Sequence, residues 1–173
     1  MQAFTPVAPN TEKILQDASE YAVEYAQAKL SSRPAREMAV VMCMDARLRA
    51  YSILGIKEGD AHVIRNAGGV VTDDVVRSLV VSQRLLGTRH IVLVHHTDCG
   101  MTTFTDDGMK AEIQAETGLK PAFSLESFSD PDENVRQSIR RIEANPFIPH
   151  KDSISGFVFE VESGKLHVVD MER

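Results

Sequence analysis

The chain has 173 residues, 43% of them hydrophobic and 25% charged, an ordinary balance for one soluble domain able to bury a core. Its net charge of -6 argues against a nucleic-acid or anionic-membrane partner, either of which would want clustered lysine and arginine. No apolar run approaches the roughly 18 residues of a membrane span, and the N-terminal MQAFTPVAPN lacks the basic and apolar regions of a secretory signal.

The first predicted element is an amphipathic helix over about residues 10–31. Asn10 or Thr11 would cap it, and Ile14, Leu15, Ala18, Tyr21, Ala22 and Tyr25 would share one face. After Arg33-Pro34, MAVVMC (38–43) reads as a strand covered on both sides. A helix is expected over 47–54, ending at Gly55, and AHVIRN (61–66) is the next strand. A glycine pair comes next, then a helix capped by Thr72, with Asp73 and Asp74 in its first turn and Gly87 at its end. Its expected buried face is Val75, Val76, Leu79, Val80 and Leu86. HIVLVH (90–95) is a third strand, and 107–117 reads as helix before a loop over 118–130. Asp130-Pro131 opens a last helix with Val135, Ile139 and Ile142 inward, and GFVFEV (156–161) with LHVV (166–169) reads as a terminal hairpin. Strands alternating with helices predict an α/β fold: a mostly parallel central sheet flanked by helices, in a single domain over 1–173.

In such sheets chemistry gathers beyond the carboxyl ends of the strands. That rule selects Cys43–Arg47, Asn66–Gly69 and His95–Gly100. The chain's two cysteines, Cys43 and Cys99, both fall there, and the expected cytoplasmic setting favours metal or redox use over a disulfide. Two thiolates and the His96 imidazole form a donor set that suits tetrahedral Zn2+. Three protein ligands, drawn from two strand ends, would leave the fourth position open, as in catalytic rather than structural zinc sites. His95 should point away from His96 and serve the core, and Asp98 reads as a supporting or solvated residue. Asp45 has two options: it could occupy the fourth zinc position, or pair with Arg47 and accept a hydrogen bond from zinc-bound water. The second matters because two thiolates cancel the charge of Zn2+, so this zinc acidifies its water less than an all-histidine zinc does.

CMDAR (43–47), RNAGG (65–69) and HHTDCG (95–100), in that order, resemble the β-class carbonic anhydrases, above all their short branch of archaea, actinobacteria and some fungi. The N-terminal helix and VRQSIRRIEANPFIP (135–149) resemble that branch too. The resemblance implies zinc held by Cys43, His96 and Cys99, with Asp45 and Arg47 as a catalytic dyad. It implies reversible hydration of CO2 to bicarbonate and a proton by attack of zinc-bound hydroxide. It also implies a homodimer whose N-terminal helix reaches over the partner. Met44 and Ala46 stand where the C-S-D-S-R version carries serines, and the glutamine and aromatic pocket residues of plant-type members have no match. Arg65, Gly68 and Gly69 are candidate substrate-side residues, Arg65 as a pocket cation or as a structural ion pair; Val70 or Val71 would line an apolar niche for CO2. The same zinc site could instead hydrolyse carbonyl sulfide or carbon disulfide, linear isosteres of CO2. A non-catalytic zinc module with Asp45 as permanent fourth ligand is a further alternative. A thiol-redox role lacks the C-x-x-C it would need.

Overall fold

The alternation of apolar runs and amphipathic stretches produces one five-stranded sheet in the computed structural model, which describes residues 11–25 and 30–171. The strands are β1 (Met38–Cys43), β2 (Ala61–Asn66), β3 (His90–His96), β4 (Ile154–Phe159) and β5 (Leu166–Val168), in the order β2-β1-β3-β4-β5. The first four run parallel and β5 pairs antiparallel with β4, giving the expected mostly parallel sheet and terminal hairpin. The helices are α1 (Thr11–Glu24), α2 (Ala50–Leu54), α3 (Asp73–Arg84), α4 (Asp106–Thr117) and α5 (Pro131–Ala144). No helix among the described residues is long and apolar enough to cross a membrane.

The chain divides into two units, Met1–Leu30 and Ser31–Arg173. In the first, α1 begins at Thr11 and stops at Glu24, short of the expected 31; the alternative cap Asn10 and residues 26–29 lie outside the described residues. Its Lys13–Asp17 pair spans one turn, and Ile14 and Leu15 are exposed.

In the second unit, α3 packs on β1 and β2, and α5 on β3 and β4. Between them lies an aliphatic core of Val41, Val71, Val75, Leu79, Ile91, Leu93, Val135, Ile139, Ile142 and Val158. Each such side chain contributes about 1.5–3 kcal/mol when fully buried. Gly156 on β4 lets α5 approach this closely: a Cβ there would lie 2.3 Å from Val135 Cγ1. The caps form where the sequence places them. The Thr72 hydroxyl accepts from the Val75 N–H, and the Asp130 carboxylate accepts from the Asp132 and Glu133 N–H groups. Some boundaries differ, and β4 runs over Ile154–Phe159 where 156–161 was expected. The segment 45–48 is a turn rather than the first turn of α2, because the Asp45 side chain accepts the Arg47 N–H at 2.8 Å and its carbonyl accepts from Leu48. The helix α3 ends at Arg84, three residues before Gly87, and its last turns bury Ser82 and Gln83, while Val80 and Leu86 are only partly buried.

β2 and β3 flank β1 on opposite sides, so the chain switches its direction of strand addition beside β1. A cleft beyond the carboxyl ends of β1 and β3 is where such a switch point places function.

Candidate metal centre

Parallel register brings the ends of β1 and β3 level, with Met42 opposite Val94, so Cys43 and His96 leave the sheet side by side. After His96 the chain turns back through Thr97 and Asp98, the latter in the left-handed region at φ 55°, and this returns Cys99 to the same spot. The ligand atoms of Cys43, His96 and Cys99 lie within 4.8 Å of one another, and all three residues are buried. Among the described residues they are the one such cluster of three.

These donors suit a metal on several counts. Both cysteines are free, with their Sγ atoms 4.0 Å apart; two thiolates on one tetrahedral zinc would stand about 3.8 Å apart for bonds of about 2.3 Å. His96 Nδ1 lies 2.9 Å from the Thr97 carbonyl and donates to it, which leaves the lone pair on Nε2. That Nε2 is buried with no hydrogen-bond partner among the described residues, a costly arrangement for a nitrogen that coordinates nothing. Contact between the two sulfurs pulls Cys43 well below the ordinary thiol range. The same contact, with burial, pushes Cys99 up. Burial works to lower His96, but the neighbouring Cys43 sulfur outweighs it and the net shift is upward.

Asp45 and Arg47 sit at the rim. Arg47 donates from Nε to Asp45 Oδ1 at 3.0 Å and from Nη2 to Oδ2 at 2.8 Å, a two-point grip. This contact holds Asp45 far below the usual carboxylate range. Asp45 Oδ2 is nevertheless only 3.8 Å from His96 Nε2. Of the two options open to Asp45, the structure shows the arginine-paired one.

The other candidates divide. Gly69, at φ 73°, lies so close behind the site that a Cβ would stand 2.8 Å from the Cys43 amide nitrogen; only glycine fits. Gly68 backs onto Met101 and Phe128 in the same way. Arg65 forms no ion pair among the described residues; it donates from Nε to the Cys43 carbonyl at 3.0 Å and from Nη2 to the Asp45 carbonyl at 2.6 Å. It thus straps the loop that carries both a ligand and the carboxylate. Val70 and Val71 are buried behind the glycine turn.

His95 points the other way, as alternation requires. It is fully buried, bonded through Nε2 to Asn134 Oδ1 at 2.8 Å, and its ring lies 5.4 Å from that of Phe128. Burial lowers its pKa, so it stays neutral. Nothing local in the sequence marks Asn134 and Phe128, more than thirty positions away, as supports for this strand end.

The carbonic anhydrase family model matches residues 38–166. Beta-carbonic anhydrase 1 of Mycobacterium tuberculosis is 58% identical over 159 residues, which cover 92% of this chain and 97% of that protein. A carbon disulfide hydrolase of Acidianus sp. is 37% identical over 156 residues, 76% of each chain. Among solved structures, the carbonic anhydrase of Streptococcus mutans superposes with a TM-score of 0.88 at 37% identity, covering 95% of this chain and all of that one (100%). The open Cys-His-Cys cluster, the sheet that presents it and these likenesses agree: the chain belongs to the β-carbonic anhydrase family.

Proposed function

We propose that this protein is a zinc-dependent carbonate dehydratase that catalyses the reversible hydration of CO2 to bicarbonate and a proton. The observation that carries this reading is a three-donor cluster with a carboxylate beside it that is gripped by an arginine instead of being committed to the metal position. Cys43, His96 and Cys99 would hold the ion. Bound zinc supplies a Lewis acid and lowers the pKa of water at its open position. Asp45, kept ionised by Arg47, accepts a hydrogen bond from the attacking water and orients it. The Thr97 carbonyl fixes the His96 tautomer. Gly68 and Gly69 present main chain to the substrate, Val70 supplies an apolar wall where Val71 is committed to the aliphatic core, and Arg65 adds positive charge while it holds the Cys43–Asp45 loop.

The same reading makes residues 1–173 one catalytic domain with an N-terminal arm at about 10–31 that carries α1, in a homodimer where the arm covers the partner. The exposed Ile14 and Leu15 on α1 support an intermolecular contact there. A cytoplasmic location agrees with two free, buried cysteines.

Stopped-flow assay of zinc-quantified protein should show CO2 hydration within about pH 6–9; absence of turnover throughout that range overturns the reading. Asp45→Ala should lose turnover while retaining zinc, whereas a non-catalytic zinc module would lose the metal with its fourth ligand. A second reading, hydrolysis of carbon disulfide or carbonyl sulfide at the same site, is favoured by the likeness to carbon disulfide hydrolases. Parallel rates for the three substrates on one preparation decide between them.

A further inference from the structure

We propose that Asp98 is a positioning residue that anchors Arg47 from the side opposite Asp45 and thereby keeps the Asp45 carboxylate away from the metal position. Arg47 Nη1 donates to Asp98 Oδ2 at 2.7 Å, and Nη2 donates to the Asp98 carbonyl at 2.9 Å. With the two bonds to Asp45, every nitrogen of the guanidinium is engaged, and its plane is fixed between two acidic residues from different strand ends.

Exposed arginine–carboxylate pairs are ordinarily weak, because long side chains give up freedom to hold a contact that water screens. Arg47 is 44% exposed, so its grip on Asp45 alone would be of that kind. Asp98, its own side chain 80% exposed, changes this by meeting the guanidinium at two points, carboxylate and carbonyl. Its φ of 55° is a conformation that aspartate tolerates better than most residues. In that turn the carbonyl and carboxylate of one residue meet the same guanidinium. The turn is also the one that brings Cys99 back beside Cys43, so the ligand loop and the arginine are built as one piece.

The consequence falls on Asp45. Its Oδ2, 3.8 Å from His96 Nε2, is near enough to reach the ion by a small movement. An arginine tethered only to Asp45 would follow that movement or swing into solvent. An arginine pinned by Asp98 stays behind, so Asp45 would have to break both guanidinium bonds, besides the one from the Arg47 N–H, to leave. Asp98 therefore favours the open site.

The test replaces the carboxylate without disturbing the turn. Asp98→Gly keeps the left-handed backbone and its carbonyl contact; Asp98→Asn keeps a side-chain acceptor. In cobalt-substituted protein at fixed pH, azide binding followed by the visible cobalt bands should weaken about tenfold in Asp98→Gly, the order expected when a partner of the metal surroundings is lost. Asn should restore most of the affinity. Because the effect runs through Asp45, it should disappear in an Asp45→Asn background. Wild-type azide affinity and cobalt spectrum in Asp98→Gly, or a tenfold loss that persists without Asp45, overturns the inference. The kinetic arm rests on the carbonate dehydratase reading: kcat for CO2 should fall about tenfold in Asp98→Gly with KM nearly unchanged and zinc retained. Absence of CO2 turnover in wild-type protein that still shows the cobalt effects would defeat that reading and leave the role of Asp98 standing. Normal wild-type turnover with no cobalt effect in Asp98→Gly defeats the role of Asp98 alone.

Discussion

The two faces of the central strands are built from different materials. On one, Ala39 and Val41 of β1 and Ile91 and Leu93 of β3 meet α3 and α5 in a purely aliphatic core. On the other, Val40, Met42 and Val94 pack with Cys43, Cys99, Met101 and, at its margin, Phe104 and Phe128. The neighbours His95 and His96 feel this difference directly. Pleating sends one ring against Asn134 of α5, where burial keeps it neutral, and the other to the sulfurs, where it offers a bare lone pair. Residue type does not decide which histidine is structural; the face does.

Substitutions on the two faces should fail in different ways. The largest effect is expected for Cys43→Ala. Loss of one of three donors should remove stoichiometric zinc and lower CO2 turnover by at least about a hundredfold, read by elemental analysis and stopped-flow assay. Next is Leu93→Ala, which opens a cavity in the aliphatic core. It should cost about 2–5 kcal/mol in denaturant unfolding while the folded fraction still binds zinc. Loss of zinc from folded Leu93→Ala protein would break the comparison, since it would make the first face part of the site.

The smallest effect concerns a carboxylate that belongs to neither cluster. Asp106, at the start of α4, accepts from the Leu125, Glu126 and Ser127 N–H groups and the Ser124 hydroxyl, tying down the segment before α5. Those bonds, the Ser127 N–H foremost, hold its pKa well below the ordinary 3.8. A depressed carboxylate stabilises the fold above its unfolded pKa, and that contribution drains away as pH falls from 3.8 towards the folded value. Asp106→Asn should therefore cost about 1–2 kcal/mol at neutral pH and flatten the acid limb of the stability curve, measured by thermal unfolding against pH.

Much of this was legible in the sequence because it is local. MAVVMC and HIVLVH are continuous apolar runs, and Thr72 and Asp130 are caps next to the helices they start. The H-x-x-C spacing and the second cysteine at an equivalent strand end pointed to one cluster, and the fold brings them together. The misplaced start of α2 has a side-chain cause: Asp45 takes the Arg47 N–H, so the backbone turns where periodicity suggested helix. What stayed hidden depends on contacts between distant segments. Arg65 reaches the carbonyls of residues 22 and 20 positions earlier, and Arg47 meets Asp98 from 51 positions away. Hydrophobic period carries no record of such pairings.

Cys43 and Cys99 stand 56 positions apart in the chain. An ion shared between them would close a loop that contains α2, β2, α3 and β3, nearly a third of the protein. Because those donors converge only once β1 and β3 are paired, the metal would bind the folded chain and not the unfolded one. Its free energy of binding is then also free energy of folding, about 4 kcal/mol when free metal exceeds its dissociation constant a thousandfold. The catalytic ion thus doubles as a fastener across the middle of the sheet, and cells short of zinc would hold a looser protein as well as an idle one.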